Sequence, residues 1–216
     1  MLLTTQYLIG VFITFATLFG YGSTFVKNSD IFFVSLVGYI VVGIISITIH
    51  FFSPINEIVS LITIFLGIVL FLINFKKNKI FLGILFLPVI SLILIGYSEH
   101  PIDANLYHHP YITYLTNEKL IFGIANIHSR FGHTSFLQFV QSIMVNDFLT
   151  IFSISNINLI FYFCFIYYCL NIILNNNNNN FVLIVTCLVS SFILIKFARY
   201  REFGNDLIPF LVANYF

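Results

Sequence analysis

From Gln6 to Val26 the chain runs for 21 residues without an Asp, Glu, Lys, Arg or His. About 20 consecutive apolar residues are enough for a helix to cross a bilayer. Runs of this kind recur at 31–52, 57–75, 80–97, 157–174 and 181–197, giving six in all. In hydrocarbon every backbone N–H and C=O must bond within the structure, and helices achieve this inside one segment. Charged residues make up only 8% of the 216 residues, against about 25% in soluble domains, and mean hydropathy is +1.00. The expected fold is therefore all-α, a polytopic transmembrane helical bundle forming one membrane domain over 1–216. Residues 1–26 lack the basic start and small-residue cleavage site of a secretory signal, so they read as the first span.

A seventh apolar run opens at Ile208 and continues to Phe216. A span does not end in its opening turns, so the chain is expected to be the N-terminal fragment of a longer protein. The six Asn at 175–180 serve as a polar break between two spans. Cys164, Cys169 and Cys187 all fall within apolar runs, which fits small core residues better than a disulfide framework. A net charge of +1 gives no basic footprint for nucleic acid. There is no Walker A loop, Rossmann glycine pattern or G-x-S-x-G elbow, so ATPase, dehydrogenase and serine-hydrolase readings lose support.

One connection is long. Residues 98–156 form a polar segment, and connections of that length are usually functional. Within it, Phe136, Val140, Ile143 and Met144 share a helical face while Gln138, Gln141 and Asn146 lie elsewhere. This predicts a short helix, either lying at the membrane interface or packed on the bundle. The Lys-rich stretch 76–79 should be cytoplasmic, with Lys27 on the same side. That puts 98–156 on the outer face. The basic residues of 196–201 then fall outside as well, against the rule.

Whichever side is out, 98–156 and 198–209 are separated by two spans and share a face. Six of the eight acidic residues lie there (Glu99, Asp103, Glu118, Asp147, Glu202 and Asp206), with five of the six His. Asp103 follows the fourth span closely, where a carboxylate could act as a general base or hold a divalent cation; a helix cap is the plainer reading. Tyr107, His108 and His109 follow it, and Pro110 disfavours helix at His109. Arg130, the only Arg in the segment, suits a phosphate by bidentate hydrogen bonding and is flanked by His128 and His133. Gly123 and Gly132 permit tight turns. The H-x4-H spacing is not a zinc pattern, so no metal is assigned to these His. Asp206, with Arg201 nearby, is the third polar group; a charged loop between spans explains it equally well. His50 and Glu57 flank a turn around Pro54 and read as ordinary solvated span ends.

Two elements together, D-A-N-L-Y-H-H-P at 103–110 and G-I-A-N-I-H-S-R-F-G-H-T-S at 123–135, resemble a pattern in large bacterial multi-spanning proteins that are similar to GT-C glycosyltransferases. The resemblance covers 98–140 and extends to E-F-G-N-D at 202–206. It implies a bacterial cytoplasmic-membrane enzyme that takes a sugar from a polyprenyl-phosphate donor to a glycan, lipid or protein acceptor on the outer face. It implies catalytic roles for Asp103 and Asp206. Substrate contacts would come from Tyr107, His108, Asn126, His128, Arg130, His133 and Arg201. A polysaccharide polymerase or ligase, or a non-enzymatic transporter or flippase, are the alternatives. No D-x-D or other paired-acid element is present.

Overall fold

The computed structural model describes residues 2–27, 29–75, 104–126, 129–132, 135–149, 154–175, 180–195 and 206–216. Three long helices come first: α1 (Leu2–Phe25), α2 (Ile31–His50) and α3 (Glu57–Phe75). The expected span 80–97 lies outside the described residues. A single π-helical turn, Ala104–His108, leads into α4 (His109–Asn117); two 3-10 turns (Ile124–Asn126, Ser129–Gly132) follow, then α5 (Phe136–Ile143). The remaining helices are α6 (Asn156–Asn175), α7 (Asn180–Ile195) and α8 (Leu207–Tyr215). Every regular element among the described residues is helical, as expected.

Among the described residues, four helices are long and apolar enough to cross a membrane: Leu8–Phe25, Ile31–His50, Glu57–Asn74 and Asn156–Asn175. α7 has 16 residues, about 24 Å at 1.5 Å per residue, and falls short of that set. Two of these helices, α2 and α3, are capped by side chains. Asp30 accepts from Phe33 N at 3.0 Å to open α2, and Asn56 accepts from Val59 N at 3.1 Å to open α3.

α1 packs on both α2 and α3. Small residues allow this close approach: a Cβ at Gly22 would strike the Val34 carbonyl, and one at Gly38 the Leu18 carbonyl. Gly20 meets Gly67 in the same way on α3. Backbones that approach closely are a recurrent solution where burial from water gives no drive for helix association. Hydroxyls inside the bundle bond back along their own helices, as Thr14 Oγ1 does to Gly10 O and Thr17 Oγ1 to Ile13 O, both at 2.8 Å. Aromatic rings fill the rest. Phe71 of α3 meets Phe15 and Phe19 of α1 edge-on, and Phe32 of α2 meets Phe161 and Phe165 of α6. The outward faces of α3 and α7 expose Leu61, Phe65, Leu72, Val185 and Leu188, the apolar surface that a lipid-facing helix presents.

Of the three cysteines, Cys164 and Cys169 are buried, but Cys187 is exposed on α7. Its place within an apolar run made it look like core; in a bilayer-facing helix the outer side is apolar too.

Candidate functional site

The described residues of 104–149 are built into one end of the bundle. α5 does not lie on the surface: every residue from Leu137 to Ile143 is buried, Gln138 and Gln141 included. Its first residue, Phe136, fills the space left by Gly43 and stacks edge-on with Tyr39, 5.1 Å between ring centres. Gly43 is seven residues from the end of α2, so α5 begins about 10 Å below that end. It then rises past Ser46, whose hydroxyl donates to Phe139 O at 2.6 Å, to Ser60 at the start of α3, which donates to Ile143 O at 2.6 Å. α5 is thus packed inside this end of the bundle, and irregular backbone around such a helix is tolerated where protein surrounds it.

Asn146 closes this end. Its Oδ1 accepts from Phe148 N (3.1 Å) and Leu149 N (2.8 Å), while its Nδ2 donates to Ser60 Oγ (3.1 Å). The polar side chains of the predicted amphipathic segment therefore face protein: Gln138 bonds to His108, Gln141 donates through Nε2 to Ile154 O while its Oε1 has no partner among the described residues, and Asn146, in the turn beyond α5, bonds to Ser60.

α4 packs beside α5 and over the α2–α3 turn. Ile55 N donates to Leu115 O (2.9 Å) and Leu120 N to His50 O (3.3 Å). Pro110 does not break the helix at His109. It sits in the first turn of α4, where a missing N–H costs nothing. The adjacent His108 and His109 diverge: His108 is buried and meets Gln138 Nε2 through its Nδ1 at 3.1 Å, whereas His109 is half-buried. Tyr107 stacks against His108, 4.1 Å between ring centres. Burial, with a smaller contribution from Tyr114, pushes the Tyr111 phenol up to about 12.

The two 3-10 turns sit next to each other, and a Cβ at Gly132 would touch Ala125 Cβ at 3.0 Å. Gly123 has φ +82, the left-handed geometry its residue type permits. Asn126 is exposed on the first turn. Arg130 belongs to the second, which Phe131 holds against Tyr111 of α4 at 5.4 Å. Tyr107, His108, Asn126 and the backbone of Arg130 thus all belong to the assembly at this end.

Asp206 is exposed at the head of α8 and its side chain does not cap the helix. α8 packs on α6, and its far end reaches the α1–α2 turn, where Tyr215 OH donates to Asp30 Oδ2. Asp103, His128, His133 and Arg201 lie outside the described residues. Among the described residues no group of three or more His, Cys, Asp and Glu could hold a metal ion.

His50 corrects the sequence reading. It is 1% exposed rather than solvated, lying under Tyr114 (5.6 Å) and Phe139 (5.7 Å). Neither ring nitrogen has a hydrogen-bond partner among the described residues. The signal was present in the spacing, since Tyr39, Gly43, Ser46 and His50 recur every three or four residues on the buried face of α2.

An all-α bundle with several membrane-length apolar helices is a polytopic membrane protein. The chain belongs to the family described as "Domain of unknown function (DUF8201)", whose model matches residues 1–215. No curated protein and no solved structure matches it.

Proposed function

We propose that this protein is an integral-membrane glycosyltransferase of GT-C type. It moves a sugar from a polyprenyl-phosphate donor to an envelope acceptor at the bundle end formed by 104–149, on the outer face of a bacterial cytoplasmic membrane. One observation carries the reading: the described residues of 104–149 pack into the bundle end, with His108 bonded to Gln138, Asn146 to Ser60, and the Asn126 and Arg130 turns side by side on α4. Such a scaffold holds a site beside the lipid, where a lipid-tailed donor arrives without leaving the bilayer.

Asp103, next in sequence to the π-helical turn, takes the proton from the acceptor hydroxyl. The acceptor oxygen attacks the anomeric carbon, the bond from that carbon to the phosphate oxygen breaks, and polyprenyl phosphate leaves with the electron pair. Arg130 neutralises the phosphate charge. His108, buried against Gln138, positions the π-helical turn rather than binding phosphate. Asp103 and Arg130 carry this assignment, and Asp206 is set aside because the described contacts of α8 lead towards the α1–α2 turn.

A transporter reading is less favoured. Transporters keep ionisable residues near the midplane, and in the four candidate spans the only such residues are His50 and Glu57, both at span ends. A polymerase or ligase for lipid-linked glycans would use the same face and differs in its donor.

The test is transfer of labelled sugar from single-sugar polyprenyl phosphates by the full-length protein in native membranes. Asp103→Asn should lower the rate about 10²–10⁴-fold, and Arg130→Gln should lower it with the same donor. Undiminished transfer by Asp103→Asn sinks the assignment. Transfer of whole oligosaccharide repeats but not single sugars makes the protein a polymerase or ligase.

A further inference from the structure

We infer that the Ile121–Phe122 turn, with Phe51 and Phe52, is a membrane anchor inserted at the boundary between lipid headgroups and acyl chains. This holds independently of the transferase reading. Phe122 is 89% exposed, Phe52 82%, Phe51 58% and Ile121 40%. Large apolar side chains this exposed and this close together mark an interaction surface.

The turn that carries Phe122 is built rather than loose. The Tyr114 hydroxyl accepts from Ile121 N (2.8 Å) and donates to Lys119 O (3.3 Å). Leu120 N donates to His50 O, which fastens the strip to the last residue of α2, directly before Phe51 and Phe52. Gly123 turns the chain at positive φ, and Asn126 N closes the turn on Gly123 O at 2.8 Å. Phe122 is therefore held outward at the level where α2 ends.

Lipid is the occupant because of what the patch continues. Below it run the exposed apolar residues of two membrane-length helices, Ile44 of α2 and Ile58, Leu61 and Ile62 of α3. The patch is the upper rim of that surface, at the level where Phe and Leu side chains of interfacial segments insert between headgroups and acyl chains. Lys119, exposed beside it, can reach up to headgroup phosphates.

The chain contains no Trp, so Phe122→Trp creates a single fluorescent reporter. The 216-residue chain carrying this substitution is placed in phosphatidylcholine vesicles carrying bromine either near the headgroup end or near the tail end of the acyl chain. Phe65→Trp, halfway along α3 on its exposed face, is the deep reference. Phe122→Trp should lose most of its emission to the shallow bromines and less to the deep ones, with the reverse order for Phe65→Trp. Quenching by aqueous iodide alone puts the turn in water and overturns the inference. Quenching by neither means that protein covers the turn, and overturns it equally. If Phe122→Trp fails to fold, Phe52→Trp is read by the same criteria.

Discussion

At the scale of the residue, some buried polar groups, both His50 ring nitrogens and Gln141 Oε1 among them, have no partner among the described residues, while others are held by specific bonds. Asn146 shows how far this goes: one side chain serves two backbone N–H groups and the Ser60 hydroxyl at 8% exposure. Removing it strands the buried Leu149 N–H, which costs about 1–3 kcal/mol. Asn146→Ala should accordingly lower the stability of the detergent-solubilised protein by about that amount, measured by chemical unfolding. An unchanged unfolding midpoint would mean that water enters this end of the bundle. The sequence placed Asn146 on the polar side of a longer helix; α5 ends at Ile143, and Asn146 lies in the turn beyond it. The sequence could not show that the polar face also meets protein, because periodicity reports where the sides of a helix differ, not what covers each of them.

At the scale of the element, the α1–α2 contact depends on the absence of two side chains. In an unconstrained helix Gly→Ala adds helix stability, by about 1 kcal/mol. At Gly38 the new methyl would run into the Leu18 carbonyl, and backbone cannot be moved aside as a side-chain tip can. Gly38→Ala should therefore destabilise, by about 1–3 kcal/mol as for other overpacked cores, and thermal unfolding in detergent gives the sign directly. α5 teaches a related lesson. Its eight residues were legible as a helix, but their depth is set by Gly43, Ser46 and Ser60 on other helices, which receive Phe136 and the carbonyls of Phe139 and Ile143.

At the scale of the whole molecule, the contact between Asp30 and Tyr215 joins residues 185 positions apart. Asp30 both caps α2 and anchors the end of α8, where Tyr215 also stacks on Phe32, Phe33 and Tyr168. The two roles separate by substitution. Asp30→Asn keeps an oxygen for the cap, whereas Asp30→Ala loses cap and anchor together. Asp30→Ala should cost about 0.5–2 kcal/mol for the cap, plus about 0.5–1.5 kcal/mol for the lost bond to Tyr215. Tyr215→Phe should show only the second loss. Unfolding of the three variants in one detergent checks the order, and equal losses for all three would refute the double role.

The amino-acid sequence by itself determined the class of fold, because a chain this poor in charge, with apolar runs of membrane length, has only the helix as a way to satisfy its backbone in lipid. It also marked out 98–156 as the segment that differs from the rest, and Gly123 as a turn. Only the tertiary structure decided that α5 enters the bundle, that His108 is held by Gln138, that His50 is buried and that Cys187 is exposed. The physical reason is the same each time. Local composition fixes what one helix can be, while burial depends on which neighbour supplies a gap, a carbonyl or a ring. Those neighbours, Ser46 to Phe139 or Asn146 to Ser60, lie more than 80 residues away in the chain.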